Sequence, residues 1–252
     1  MVNAILNRST VVTALAFLLV ATVPLAGKAH ANLTIDTLES TESGNTEFLS
    51  DPPGTPAGAP NMLSETNLTG VVGGASTVRK TSVSSGGPGT VTAAIVPSQN
   101  RIAYSSGGAT GQLSINYSAP GGLNAGFAPF LGMSIPLSDI ELTGAMTPIP
   151  VSIKLTDGNG MMAVGMGQIT TENDQTLFIP AASFANLNML DLSDIDVIEY
   201  MFMTSPGQEF DIDGPLLEIM VPEPATVLAW LVVGACLAFG WKRYGHRLRV
   251  RG

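Results

Sequence analysis

From Asn32 to Met220 the chain contains no histidine, no cysteine and no tryptophan. The two histidines are His30 and His246, the one cysteine is Cys236, and the two tryptophans are Trp230 and Trp241. Without histidine this stretch cannot build a Ser-His-Asp or Cys-His nucleophilic site, nor a histidine-ligated zinc centre. Without cysteine it has no disulfide, so its stability must come from a packed core. Positive charge is scarce too: Arg79, Lys80, Arg101 and Lys154 stand against nineteen Asp and Glu. A body this acidic repels nucleic acid and anionic lipid surfaces, and no nucleic-acid partner is expected.

What is present favours β structure. Only 12% of the 252 residues are charged, whereas glycine (28) and proline (17) are plentiful and 45% of residues are hydrophobic. Such a mixture suits short strands joined by turns better than long salt-bridged helices. In Gly111–Ser118, "GQLSINYS", Leu113, Ile115 and Tyr117 alternate with polar neighbours, the period of a half-buried strand. The clearest unit is Val151–Thr170. Val151, Ile153 and Leu155 alternate with Ser152, Lys154 and Thr156; Met162, Val164 and Met166 alternate with small residues; and Asp157-Gly158-Asn159-Gly160 stands between as a turn tolerant of positive φ. The pattern predicts a hairpin. Gln175–Pro180, Asp194–Met203 and Gly214–Val221 read as further strands, Ala181–Leu190 as room for a short helical turn, and the glycines of Gly70–Ser76 as a bulge or turn. Residues 63–220 are therefore expected to form an all-β domain, an antiparallel β-sandwich or jelly roll. Residues 32–62, acidic and then Pro/Gly-rich, are expected as an extended lead-in with one strand near Leu33–Leu38.

The ends carry a different signal. Arg8, the apolar stretch Val11–Gly27 and the small-residue triplet Ala29-His30-Ala31 have the order of a secretory signal peptide, with cleavage expected after Ala31 (residues 1–31). At the other end, residues 225–241 run for seventeen positions without a charge. As a helix at about 1.5 Å per residue this run covers roughly 26 Å, at the short end of what crosses a bilayer core. Lys242, Arg243, Arg247, Arg249 and Arg251 follow as a basic tail (242–252), expected to stay on the cytoplasmic side. Ahead of the run, Pro222 and Pro224 flank Glu223; two prolines break a helix and leave an extended, accessible peptide.

No residue set advertises catalysis. Asp191, Asp194 and Asp196, and Asp211 with Asp213, are locally dense oxygen donors of the kind that suit a structural calcium, or else solvated turn carboxylates. Any acid pair among them has the elements for glycoside hydrolysis, but any acidic surface supplies such pairs. For sugar stacking the body offers Tyr104, Tyr117, Tyr200 and several Phe, some of which fit the core pattern instead.

Pro222-Glu223-Pro224, the apolar run and the basic residues together resemble the PEP-CTERM sorting signal of exported bacterial proteins. The likeness covers residues 221–252, and the tail departs from the usual short arginine run in being longer and interrupted by Tyr244-Gly245-His246. It implies a transient inner-membrane anchor recognised by an exosortase, a membrane-embedded transpeptidase, on the way to the cell surface or extracellular matrix of a Gram-negative-type bacterium. The body, with "GVVGGASTVRKTSV" and the closing "FDIDGPLLEIMVPEP", is similar to the β-rich ectodomains joined to this signal, and its closing strand also resembles carbohydrate-binding jelly rolls. Three functions are expected from this, in order: a non-catalytic structural or adhesive envelope protein that contacts exopolysaccharide, a glycan-binding module, and a carboxylate-dependent glycoside enzyme.

Overall fold

The computed structural model describes residues 30–52, 60–127, 130–142, 147–214 and 216–222. In chain order the strands are β1 (His30–Asp36), β2 (Glu47–Asp51), β3 (Asn61–Glu65), β4 (Val78–Ser85), β5 (Val91–Val96), β6 (Arg101–Ser105), β7 (Gly111–Ser118), β8 (Gly132–Glu141), β9 (Ile149–Asp157), β10 (Met162–Ile169), β11 (Gln175–Pro180), β12 (Phe184–Ala185), β13 (Ile195–Thr204), β14 (Glu209–Asp213) and β15 (Leu216–Pro222). They form two sheets in which strands β2 to β15 pair antiparallel, as the alternation predicts. One sheet runs β1-β15-β8-β14-β6-β5-β2, with β11 also on β8; the other runs β12-β10-β9-β13-β7-β4-β3. The packed unit is Asn32–Val221, and the second unit, Met1–Ala31 with Pro222–Gly252, falls almost wholly outside the described residues.

Alternation becomes burial along cross-strand rows. On the first sheet Leu49, Ala93, Tyr104 and Phe210 are register partners and all buried, as are Ile95, Ile102, Ile212 and Leu137. On the second sheet Val83, Leu113, Phe202 and Val151 form one such row, and Thr81, Ile115, Tyr200 and Ile153 the next. Rings join the two sheets: Phe210 lies 5.0 Å from both Tyr104 and Phe202, centroid to centroid. The Tyr104 hydroxyl meets Thr204 Oγ1 at 2.8 Å, so this phenol is both packed and hydrogen-bonded.

Residues 32–62 are more than a lead-in. They supply most of β1, all of β2 and the first residues of β3, which place the segment in both sheets. A buried ionic cluster fixes it there. Arg79 on β4 donates from Nη1 to Asp36 (2.7 Å), from Nε to Glu65 (2.9 Å) and from Nη2 to the Ser40 carbonyl (2.9 Å), while the Tyr117 hydroxyl donates to Asp36 (2.9 Å). Burial works against the Arg79 charge, but Asp36 and Glu65 outweigh it and hold the guanidinium pKa above its ordinary value. Burial, reinforced by Asp36, also raises the Tyr117 hydroxyl.

The predicted hairpin is β9–β10, turned through residues 158–161. Gly160 takes φ 78° and its N–H reaches the Asp157 carbonyl at 2.9 Å. The glycine-rich Gly70–Ser76 is a turn ending in a short 3-10 segment, Gly74–Ser76, and Ala181–Leu190 holds two more, Ala181–Ser183 and Leu187–Met189, around β12. The predicted signal peptide with Ala29, the residues Glu223 and Pro224, the apolar span 225–241 and the tail residues Lys242, Arg243, Arg247, Arg249 and Arg251 lie outside the described residues; Ala31 falls in β1 and Pro222 ends β15. Among the described residues no helix is long and apolar enough to cross a membrane.

Candidate functional site: a groove across the outer face of one sheet

The aromatic residues that the sequence offers for sugar stacking point the wrong way. Tyr104, Tyr117 and Tyr200 all lie on inward rows and are buried, because each shares its strand face with core aliphatics. Tyr104 is pushed up to about 12 by its burial, the signature of a packed phenol rather than a ligand contact. Among the described residues the most exposed large apolar side chain is Phe48 on β2, 79% exposed, followed among the aromatics by Phe178 on β11 at 43%. Sequence reasoning missed Phe48 because it stands in the segment read as a lead-in. Along Glu47–Asp51 the structure buries Leu49 and Asp51 and turns Phe48 and Ser50 outward between them.

Phe48 begins a row across the outer face of the first sheet. Its register partners in turn are Ala94, Ala103, Asp211 and Ser138. A parallel row runs Ser50, Thr92, Ser105, Glu209 and Glu141, and a shorter one runs Val96, Arg101 and Asp213. At about 4.8 Å per strand, Phe48 and Asp211 are separated by roughly 14 Å of sheet floored by two alanines. The side chains of these rows other than Ser50, Val96, Ser138 and Asp213 line, together with Glu172 and Asp174 from the β10–β11 loop, an open groove of about 770 Å³.

At the β8 end the groove has an irregular backbone. Between Ser138 and Glu141, β8 carries Asp139 and Ile140 where β14 has Phe210 alone, a β-bulge. Asp139 takes φ 46°, a left-handed conformation in which aspartate is tolerated but not favoured. The bulge turns its carboxylate, 75% exposed, towards Arg101 Nη1 at 3.3 Å. The same Nη1 binds Asp211 directly, and Arg101 Nε is buried without a hydrogen-bond partner. Burial raises the Asp211 pKa to about 6, with Asp139 and Asp213 adding to the rise and Arg101 opposing it. Ser105 Oγ donates to Glu209 at 2.5 Å, and Glu172 accepts the Leu142 N–H at 3.2 Å.

The other acidic group seen in the sequence ties loops together. Asp157 accepts N–H bonds from Asn159, Met161 and Asp191, each at 2.9 Å, and these bonds hold its pKa below the ordinary value. Asp191 is occupied by the Ser193 hydroxyl (2.6 Å) and N–H (3.0 Å), and is lowered by them. Asp196 sits 3.5 Å from the Asn124 N–H, and Asp194 borders Gly158. Among the described residues no set of three or more acidic, histidine or cysteine side chains is arranged to hold a metal, so nothing in the structure supports the structural calcium.

No protein-family model matches the chain, and no curated protein matches it in sequence. Solved structures similar to it include a family 11 carbohydrate-binding module from Clostridium thermocellum in complex with a beta-1,3-1,4-mixed-linked tetrasaccharide. That module is 21% identical, with TM-score 0.33, over 69% of this chain and 94% of the module. TmCBM61 in complex with beta-1,4-galactotriose is 11% identical, with TM-score 0.33, over 77% of this chain and 99% of that one. An exo-beta-agarase is 14% identical, with TM-score 0.33, over 78% of this chain but 25% of its own length. Likenesses this distant carry no information about the ligand of the present chain.

Proposed function

We propose that this chain is a non-catalytic binding module for carbohydrate, with the groove on the outer face of the first sheet as its binding surface. The observation that carries this reading is the row Phe48, Ala94, Ala103 and Asp211, with Arg101 and Asp139 beside its far end. A sugar ring presents an apolar C–H face and a hydroxyl rim. Phe48 supplies a platform for the face, the alanines leave space for the ring, and carboxylates and a guanidinium supply acceptors and donors for the rim. The groove favours this function over a structural or adhesive envelope component, the first expectation from the sequence.

Affinity electrophoresis through gels containing soluble polysaccharides tests it. Retardation of the wild type by at least one glycan, abolished in Phe48→Ala with the thermal midpoint unchanged, is the expected result; equal retardation of both proteins sinks the reading. Turnover of a glycoside, lost in Glu209→Gln, would favour an enzyme instead.

Export and sorting belong to the same proposal and rest on the resemblance of residues 221–252. The Pro222→Ala, Glu223→Ala, Pro224→Ala triple variant leaves the apolar span intact, so it is expected to insert normally yet remain full-length in the inner membrane of a host with the matching exosortase. Equal processing of wild type and variant on immunoblots reduces the ending to an ordinary anchor.

A further inference from the structure

The groove is electrostatically one-sided. Among the described residues six carboxylates line it (Asp139, Glu141, Glu172, Asp174, Glu209 and Asp211) against one cation, Arg101. Arg101 is already engaged by Asp211 and Asp139, and among the described residues no ion pair reaches Glu141, Glu172, Asp174 or Glu209. Like charges gathered along one wall raise the local potential and cost stability unless something of opposite sign offsets them.

The bulge points the same way. A regular β8 would leave no carboxylate over the junction of Arg101 and Asp211, whereas the inserted residue adopts a conformation of positive φ and sets Asp139 there, mostly in solvent. Strain of this kind is retained where the surroundings or a ligand require it. Asp139 touches the Asp211 carboxyl as well as Arg101, yet its side chain is 75% exposed and so open to a ligand.

We propose that the groove selects glycans carrying free amino groups, such as glucosamine polymers, over their N-acetylated counterparts, and rejects uronic-acid polymers. The inference rests on the carbohydrate reading above and adds the chemical class. A sugar seated on Phe48 extends across Ala94 and Ala103 toward β14 and β8. Protonated amines along that path meet the carboxylates of Glu209 and Asp139, while an N-acetyl group brings no charge and a uronate brings the wrong one; Asp211, buried, stays paired with Arg101.

Titration calorimetry with the full body at low ionic strength, using oligoglucosamine, its fully N-acetylated form, an oligouronate and oligolysine, tests the proposal. Oligoglucosamine is expected to bind at least tenfold more tightly than the N-acetylated form, the oligouronate not at all, and the preference is expected to fall as salt screens the carboxylates. Asp139→Asn keeps a residue that tolerates the left-handed backbone, and Glu209→Gln keeps an acceptor for Ser105. Each is expected to weaken oligoglucosamine roughly two- to fivefold, the range of an exposed charge pair. Glu39→Gln, the same loss of charge at an exposed position away from the groove, is expected to change nothing. Equal binding of the free-amine and N-acetylated oligomers overturns the amino-group preference and leaves the carbohydrate reading standing. Oligolysine binding as tightly as oligoglucosamine, with the same loss in Asp139→Asn, overturns it as a generic cation trap, as does binding that requires added calcium and vanishes with chelator. Failure of oligoglucosamine to bind overturns the amino-group preference, and the carbohydrate reading falls with it only if the affinity gels also show no retardation lost in Phe48→Ala.

Discussion

At the scale of single residues, Asp211 makes the chain's stability depend on pH in an unusual direction. Its folded pKa is raised to about 6, so between roughly pH 4 and pH 6 the folded state holds a proton that the unfolded state has released. Stability contributed by this group is present below the unfolded pKa and is lost as pH rises through about 6. Asp157 and Asp191 act in the opposite sense, since their lowered pKa values stabilise the fold above the ordinary carboxylate range and the effect is lost on further acidification. A thermal midpoint that declines between pH 4 and pH 6 is therefore expected, and Asp211→Asn is expected to flatten the decline and raise the midpoint at pH 7. A variant with an unchanged pH profile would remove Asp211 as its source.

Elements show why some of the molecule could be read from the chain and some could not. Gly111–Ser118 and Gln175–Pro180 coincide with β7 and β11, and the β9–β10 hairpin stands where alternation and the Asp-Gly-Asn-Gly turn put it, because both faces of these strands declare themselves locally. Gly160→Val is expected to cost about 1 kcal/mol or more, since open space around the site leaves only the backbone penalty of a β-branched residue at positive φ. An unchanged midpoint in thermal unfolding would contradict this. The strand β2 was not legible for the opposite reason. Five residues among serines, glycines and prolines are too few for a period to emerge, and their pairing is with β5, some forty positions on. The groove inherits that difficulty. Its aromatic is on β2, its bulge arises from a register shift between β8 and β14, and neither can be seen without the partner strand.

On the scale of the whole molecule, Arg79 joins segments that the sequence keeps far apart. It connects Asp36 of the first sheet to Glu65 and its own strand in the second, all three with side chains removed from water. Replacing both acids and the base by matched apolar groups can be neutral, but removing the base alone strands two buried carboxylates. Arg79→Ala is expected to cost about 3–5 kcal/mol, read as a lower midpoint in denaturant with an unchanged slope. Arg79→Lys, which keeps the charge but cannot donate to three acceptors in a fixed fork, is expected to fall between. Full stability of Arg79→Ala would show the cluster to be incidental.

The order of strands in the first sheet also sets a timetable. The strand that opens the sandwich, β1, has as its sheet neighbour β15, the strand that closes it. A chain emerging from the ribosome or passing through a membrane channel N-terminus first thus presents β1 long before its neighbour exists. The first sheet cannot close until nearly the whole body is available. Closing so long a loop is entropically slow, and folding dominated by such distant pairings belongs to the millisecond-to-second range rather than the microsecond range. Until then the unfinished body is open to proteases that attack unfolded chains. Arrested nascent chains lacking β15 are expected to be digested at a rate close to that of the denatured protein, and release of the complete chain to bring protection in a single late step.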